Sequence, residues 1–130
     1  MRHLIVDGMN VIGSRPDGWW RDRDGAARRL LHQLQIYVSN VGTELTLVLD
    51  GWSTPGLPEG DHGGVRVLYA RDAGFETADD RIVELLAAEP EPLTIEVVTS
   101  DRALQERVRA CGARIGSSRS LLERLDEPGS

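Results

Sequence analysis

Leu4, Ile5 and Val6 run straight into Asp7, and Gly8, Met9 and Asn10 follow at once. Three apolar residues are too few for a helical face and suit a strand buried on both sides. Such a strand delivers a carboxylate, and three residues later a carboxamide, to its C-terminal end. Gly8 lets the backbone turn there or come close to a ligand. The pattern returns in Leu47-Val48-Leu49-Asp50-Gly51 and again in Val97-Val98-Thr99-Ser100-Asp101. In an open parallel sheet, ligands bind outside the carboxyl ends of the strands. The three strand-end aspartates are therefore expected to meet at one place.

The rest of the chain alternates helix and strand signals. Residues 13–23 read as a loop with Pro16, Gly18, Trp19 and Trp20. Asp24 is expected to cap a helix whose Leu30, Leu31, Leu34, Val38 and Val41 recur at helical spacing, and Gly42 to end it. A strand over 46–50, an aperiodic Gly/Pro loop over 51–64 and a strand over 65–70 follow. Thr77 and Asp80 resemble a capping box opening a helix with Ile82, Leu85 and Leu86 inside. Pro90 and Pro92 stop it before a strand over 93–99. Ser100 or Asp101 starts a helix with Leu104, Val108 and Cys111 inside, closed by Gly112. A short strand over 113–115 and a helix over 120–125 complete the pattern. The expected organisation is one α/β domain over 1–125 with a flexible tail at 126–130, its mainly parallel sheet covered by helices on both faces.

All fifteen basic residues are arginine. Lysine-dependent chemistry is thereby excluded: Schiff bases, a Walker A phosphate loop, a receiver domain. The net charge of −6 argues against nonspecific coating of nucleic acid, but not against an acidic site neutralised by metal. The chain lacks an apolar run long enough for a bilayer or a leader, and its single cysteine, Cys111, fits a reducing compartment, so the expectation is a cytoplasmic protein without membrane contact.

A lone strand-end aspartate is most often a helix cap or turn former. Recurrence changes that reading. Carboxylates converging on one point repel one another unless a cation compensates them, and a divalent ion with oxygen ligands would do so. Asn10 either supports such a site or stabilises the turn after Asp7. His3, His32 and His62 lack mutual metal-ligand spacing and are read as surface or packing residues. No histidine accompanies Ser100 in a motif, so it is read as a helix cap and not a nucleophile.

The segments Asp7-Gly8-Met9-Asn10-Val11-Ile12, Glu76-Thr77-Ala78-Asp79-Asp80-Arg81-Ile82 and Thr99-Ser100-Asp101-Arg102, with Gly112-Ala113-Arg114 and Ser120-Leu121-Leu122 after them, resemble the YacP-like branch of the NYN family, within the PIN-like nuclease superfamily. The resemblance implies a three-layer PIN-like domain and an endoribonuclease dependent on Mg²⁺ or Mn²⁺, with a role in mRNA turnover or RNA processing. Carried onto this sequence, it makes Asp7, Asp79 and Asp101 the catalytic, metal-holding acids, with Asp50 as a looser fourth ligand. Asn10, Asp80 and Ser100 would support them without reaching the ion. Met9 departs from the branch, which usually has an aromatic there.

For substrate, Arg15, Trp19, Trp20, Arg21 and Arg23 suggest phosphate contacts and base stacking, although Asp17, Asp22 and Asp24 are interleaved and local ion pairs compete with that reading. Trp52 is a further candidate wall. The partner is expected to be RNA, single-stranded or ribosome-associated, and a homodimer is left open. A non-cutting PIN-like module that docks RNA or the ribosome is the alternative function; keeping every matching acid argues against it. A dehalogenase-like phosphatase needs a second aspartate two residues after the first, where this chain has Met9.

Overall fold

The computed structural model describes residues 2–127. A six-stranded sheet has the order β3-β4-β2-β1-β5-β6, from β1 (His3–Asp7), β2 (Glu44–Leu49), β3 (Gly60–His62), β4 (Val65–Tyr69), β5 (Ile95–Val98) and β6 (Arg114–Gly116). Every pairing is parallel except β3 with β4. From β1 the chain builds first to one side, through β2 and β4, and then returns to the other through β5 and β6. The strand order therefore reverses between β1 and β5, the position at which open α/β sheets bind their ligands.

The strands alternate their side chains between two cores. Leu4 and Val6 of β1, with Leu45, Leu47 and Leu49 of β2, pack under α1 (Gly8–Gly13), α2 (Arg23–Val41) and α5 (Ser118–Leu125). Ile5, Val48, Ile95 and Val97 pack on the other face under α3 (Ala78–Ala87) and α4 (Arg102–Ala110). Helices on both faces make the three layers. Among the described residues, no helix is long and apolar enough to cross a membrane.

Several local expectations are corrected. Val11 and Ile12 belong to a helix, α1, which begins directly after Asp7. Gly8 does not serve a left-handed turn. A Cβ there would lie 2.6 Å from Leu49 Cδ2 and 3.0 Å from the Val48 carbonyl oxygen, so glycine lets α1 press against β2. Asp22, not Asp24, caps α2, accepting from the Gly25 N–H at 2.9 Å. Gly42 does end it, in the left-handed conformation at φ 74°. The loop at 51–64 contains β3, which reaches β4 through Gly63 and Gly64, both at positive φ as a tight hairpin requires. The helix over 120–125 starts earlier, at Ser118 with Ser117 as its cap. Of the expected tail, Asp126 is the α5 C-cap and binds Arg15 at 3.2 Å; residues 128–130 lie outside the described residues.

Candidate active site

The register of the sheet sets the acids beside one another. Asp7 aligns with Val48 on β2, and Val6 with Val98 on β5. Asp50 and Asp101 thus lie just past the ends of the two strands that flank β1. Asp79 arrives from above, in the first turn of α3, which packs on β1, β2 and α4.

Asp7 is the buried member, 4% exposed. Its Oδ2 accepts from the Thr99 hydroxyl at 2.9 Å, a bond that spans the reversal point of the sheet. Burial lifts its carboxyl from the ordinary 3.8 to about 7, opposed by the Thr99 bond and reinforced by the charges of Asp79, Asp50 and Asp101. Asp79 is half-buried, and its carboxyl is also raised, first by burial and then by Asp101 and Asp50. Asp101 caps α4, its Oδ1 accepting from the Leu104 N–H at 3.1 Å. Asp50 Oδ1 accepts from the Ala78 N–H at 2.8 Å and so holds the start of α3. Asp7, Asp50 and Asp101 each keep one oxygen outside these hydrogen bonds.

The neighbouring polar residues fasten the loops that carry the acids. Asn10 Oδ1 accepts from the Ser100 N–H at 2.8 Å and from the Ser118 hydroxyl at 2.7 Å, joining α1, the β5–α4 loop and α5. Ser100 does not cap α4; its hydroxyl accepts from the Ser118 N–H at 3.1 Å. Asp80 does not cap by its side chain either. Thr77 accepts from the Asp80 N–H at 3.2 Å, while the Asp80 carboxylate pairs with Arg107 of α4 at 3.0 Å. Arg81 binds Glu59 and the Tyr69 carbonyl, anchoring α3 to the 51–64 loop. Thr99 and Ser118, both fully buried, escaped the reading from sequence. A polar residue inside an apolar strand end was the available signal for Thr99.

The arginine and tryptophan candidates separate. Trp19 and Arg23, with the guanidinium 5.5 Å from the ring centroid, line a cavity of about 380 Å³ together with Asp24, Arg28, Asp50 and Trp52. Trp20 and Arg21 stack on each other at 5.9 Å outside it, Trp20 largely exposed. Arg15 points elsewhere, to Gln33 at 2.8 Å and to Asp126. Cys111 is partly buried against the second core, and His3 binds Thr46 at 2.8 Å at the opposite end of β1 from Asp7.

Oxygen donors alone, two of them raised above the ordinary carboxylate range by burial first and by their neighbours' charges second, suit a hard divalent cation. Among the described residues, no three His, Cys, Asp or Glu side chains stand close enough together to hold a metal ion as they are placed.

A mainly parallel six-stranded sheet between two layers of helices, its strand order reversing between β1 and β5, is a PIN-like fold. Residues 4–129 match the YacP-like NYN domain, and the chain belongs to that family, a family of nucleases. It is similar to the crystal structure of a tryptophan-to-leucine mutant of Rae1 (YacP) from Bacillus subtilis, with a TM-score of 0.80 and 30% identity over 97% of this chain and 76% of that one. A second Rae1 structure gives a TM-score of 0.77 and 30% identity over 97% and 74%. No curated protein sequence matches the chain.

Proposed function

We propose that the protein is a divalent-metal-dependent endoribonuclease. The observation that carries this reading is the convergence of Asp7, Asp50, Asp79 and Asp101 on one end of the sheet, with the Asp7 carboxyl lifted to about 7. Asp7, Asp79 and Asp101 would hold Mg²⁺ or Mn²⁺, with Asp50 as the fourth ligand. When bound, the ion would supply an activated water and offset charge on the phosphate; the family likeness implies products with 5′-phosphate and 3′-hydroxyl ends.

The chain's own residues prepare that chemistry. Asp7 gives up its proton near neutral pH as it takes a ligand's role. Thr99 aims the Asp7 carboxylate, and Asn10 fixes the Ser100 loop that presents Asp101. Asp80 is committed to Arg107 and leaves Asp79 as the α3 acid facing the cluster. Trp19, Arg23, Arg28 and Trp52 offer rings and cations to a single RNA strand beside Asp50.

Cleavage of a labelled single-stranded RNA tests the reading. Activity should require Mg²⁺ or Mn²⁺ and vanish in EDTA. Asp7→Asn, Asp79→Asn and Asp101→Asn should each remove most of it, and Asp80→Asn should keep most. Asp79→Asn as active as wild type would refute the proposal.

A further inference from the structure

The cavity beside Asp50 has features that phosphodiester hydrolysis does not need. Trp19 and Trp52 line it together with the apolar groups of Leu49, Leu57 and Tyr69. Trp19 is half-buried against the core, whereas Trp52 is 68% exposed. The loop carrying Trp52 is nevertheless held. The Ser53 N–H and hydroxyl donate to Asp72 at 2.9 and 2.6 Å, and the Arg71 N–H donates to the Gly51 carbonyl at 3.0 Å. An indole kept in water on a fixed loop beside apolar groups is a surface for a flat aromatic ligand to cover.

The polar lining carries both signs. Arg23, Arg28 and Asp24 all face the cavity, and none of them forms an ion pair among the described residues. Arginine matches an edge of two acceptors, and a carboxylate matches an edge of two donors. Among RNA bases only guanine carries both, O6 and N7 on one side and the N1–H and 2-amino group on the other.

We infer that this cavity is a base subsite that takes a guanine unstacked from a single RNA strand. Trp52 supplies the stacking surface, Trp19 under the Arg23 guanidinium forms the wall beside it, Arg23 and Arg28 face the acceptor edge, and Asp24 faces the donor edge. Asp50 lines the cavity and also belongs to the acidic cluster, so a seated guanine leaves its neighbouring phosphate at that cluster. That RNA is the ligand rests on the nuclease reading above.

The test is fluorescence anisotropy with labelled oligouridylates carrying one central guanine, adenine, cytosine or uracil, in EDTA so that nothing is cut. The guanine oligomer should bind roughly tenfold tighter than the others, the discrimination one good base-edge contact supplies. Trp52→Ala should weaken it about fivefold or more by removing a stacking surface. Asp24→Ala should erase the preference with the thermal melt preserved, because Asp24 is exposed and does not cap α2. Guanosine monophosphate should compete only weakly; competition as strong as the oligomer's would make this a free-nucleotide site and overturn the inference. Equal affinity for the four oligomers, or an unchanged preference in Asp24→Ala, would also overturn it. Asp79→Asn should keep the guanine preference while losing cleavage, which separates failure of the subsite from failure of the nuclease reading.

Discussion

The Thr99 hydroxyl lies fully buried between two of the acids, donating to Asp7 Oδ2 at 2.9 Å and accepting from the Asp101 N–H at 3.1 Å. One side chain thus sets the direction of Asp7 and the start of α4. Asp7 makes folding pH-dependent with a definite sign. Its folded carboxyl titrates at about 7 against an ordinary 3.8, so the folded state holds the extra proton between those values. This stabilisation is complete below the ordinary value and is lost as pH rises through the folded one, at no more than about 1.4 kcal/mol per pH unit. Asp79, raised in the same direction, adds to the trend. Urea melts in EDTA should therefore find wild type more stable near about pH 5 than near about pH 8, and Asp7→Asn should flatten the difference. Thr99→Val should move the Asp7 titration further up, because the lost bond had favoured the ionised form. It should also cost about 1–3 kcal/mol, since the Asp101 N–H loses its acceptor. A Thr99→Val protein as stable as wild type, with the same pH profile, would contradict this assignment.

At the scale of elements, α1 sits hard against the sheet, because Gly8 sets its first turn directly on β2. Gly8→Ala should destabilise the fold by about 1–3 kcal/mol, the usual cost of overpacking, since Leu49 and Leu47 can shift but the Val48 carbonyl cannot. A denaturant midpoint equal to wild type would count against this packing. The same joint marks where sequence reasoning stopped. The three strands ending in acids were legible, because apolar runs closed by aspartate have few other readings in a parallel sheet. The helix α1 was not, since six residues are too short to display a helical period and Val11-Ile12 extends the apolar look of β1. Strand β3 was missed because Gly60-Asp61-His62 has no apolar alternation, although the Gly63-Gly64 pair was a hairpin signal. Asp22 and Asp24 both suit a helix start, and only the hydrogen bond to Gly25 chooses between them. Arg15 seemed to belong with Trp19 by proximity in sequence, yet the turn after α1 carries it to Gln33 and Asp126. Asp80 reads as a cap locally, and its pairing with Arg107 depends on how α3 and α4 pack.

The whole molecule combines a net charge of −6 with an acidic cluster whose Asp50 also lines a cavity shared with Arg23 and Arg28, neither of which forms an ion pair among the described residues. The net negative charge argues against a grip on RNA through a broad basic surface. On the proposed function, the protein's hold on RNA would come from base stacking, a few guanidinium contacts and a metal. Two phosphate contacts imply a slope of log affinity against log salt of about −1.4 for single strands, far shallower than for proteins with a basic face. Binding of single-stranded RNA in EDTA across a salt series measures this directly, and a slope steeper than about −4 would mean a broader electrostatic footprint. Whether Asp7, Asp50, Asp79 and Asp101 together hold a divalent ion is decided by calorimetric titration of Mn²⁺ into wild type, Asp79→Asn and Asp80→Asn. Wild type should bind, Asp79→Asn should lose at least about tenfold in affinity with one ligand charge gone, and Asp80→Asn should stay within about twofold because its carboxylate serves Arg107. Absence of Mn²⁺ binding by wild type, or an Asp79→Asn protein that binds as tightly, would contradict the account.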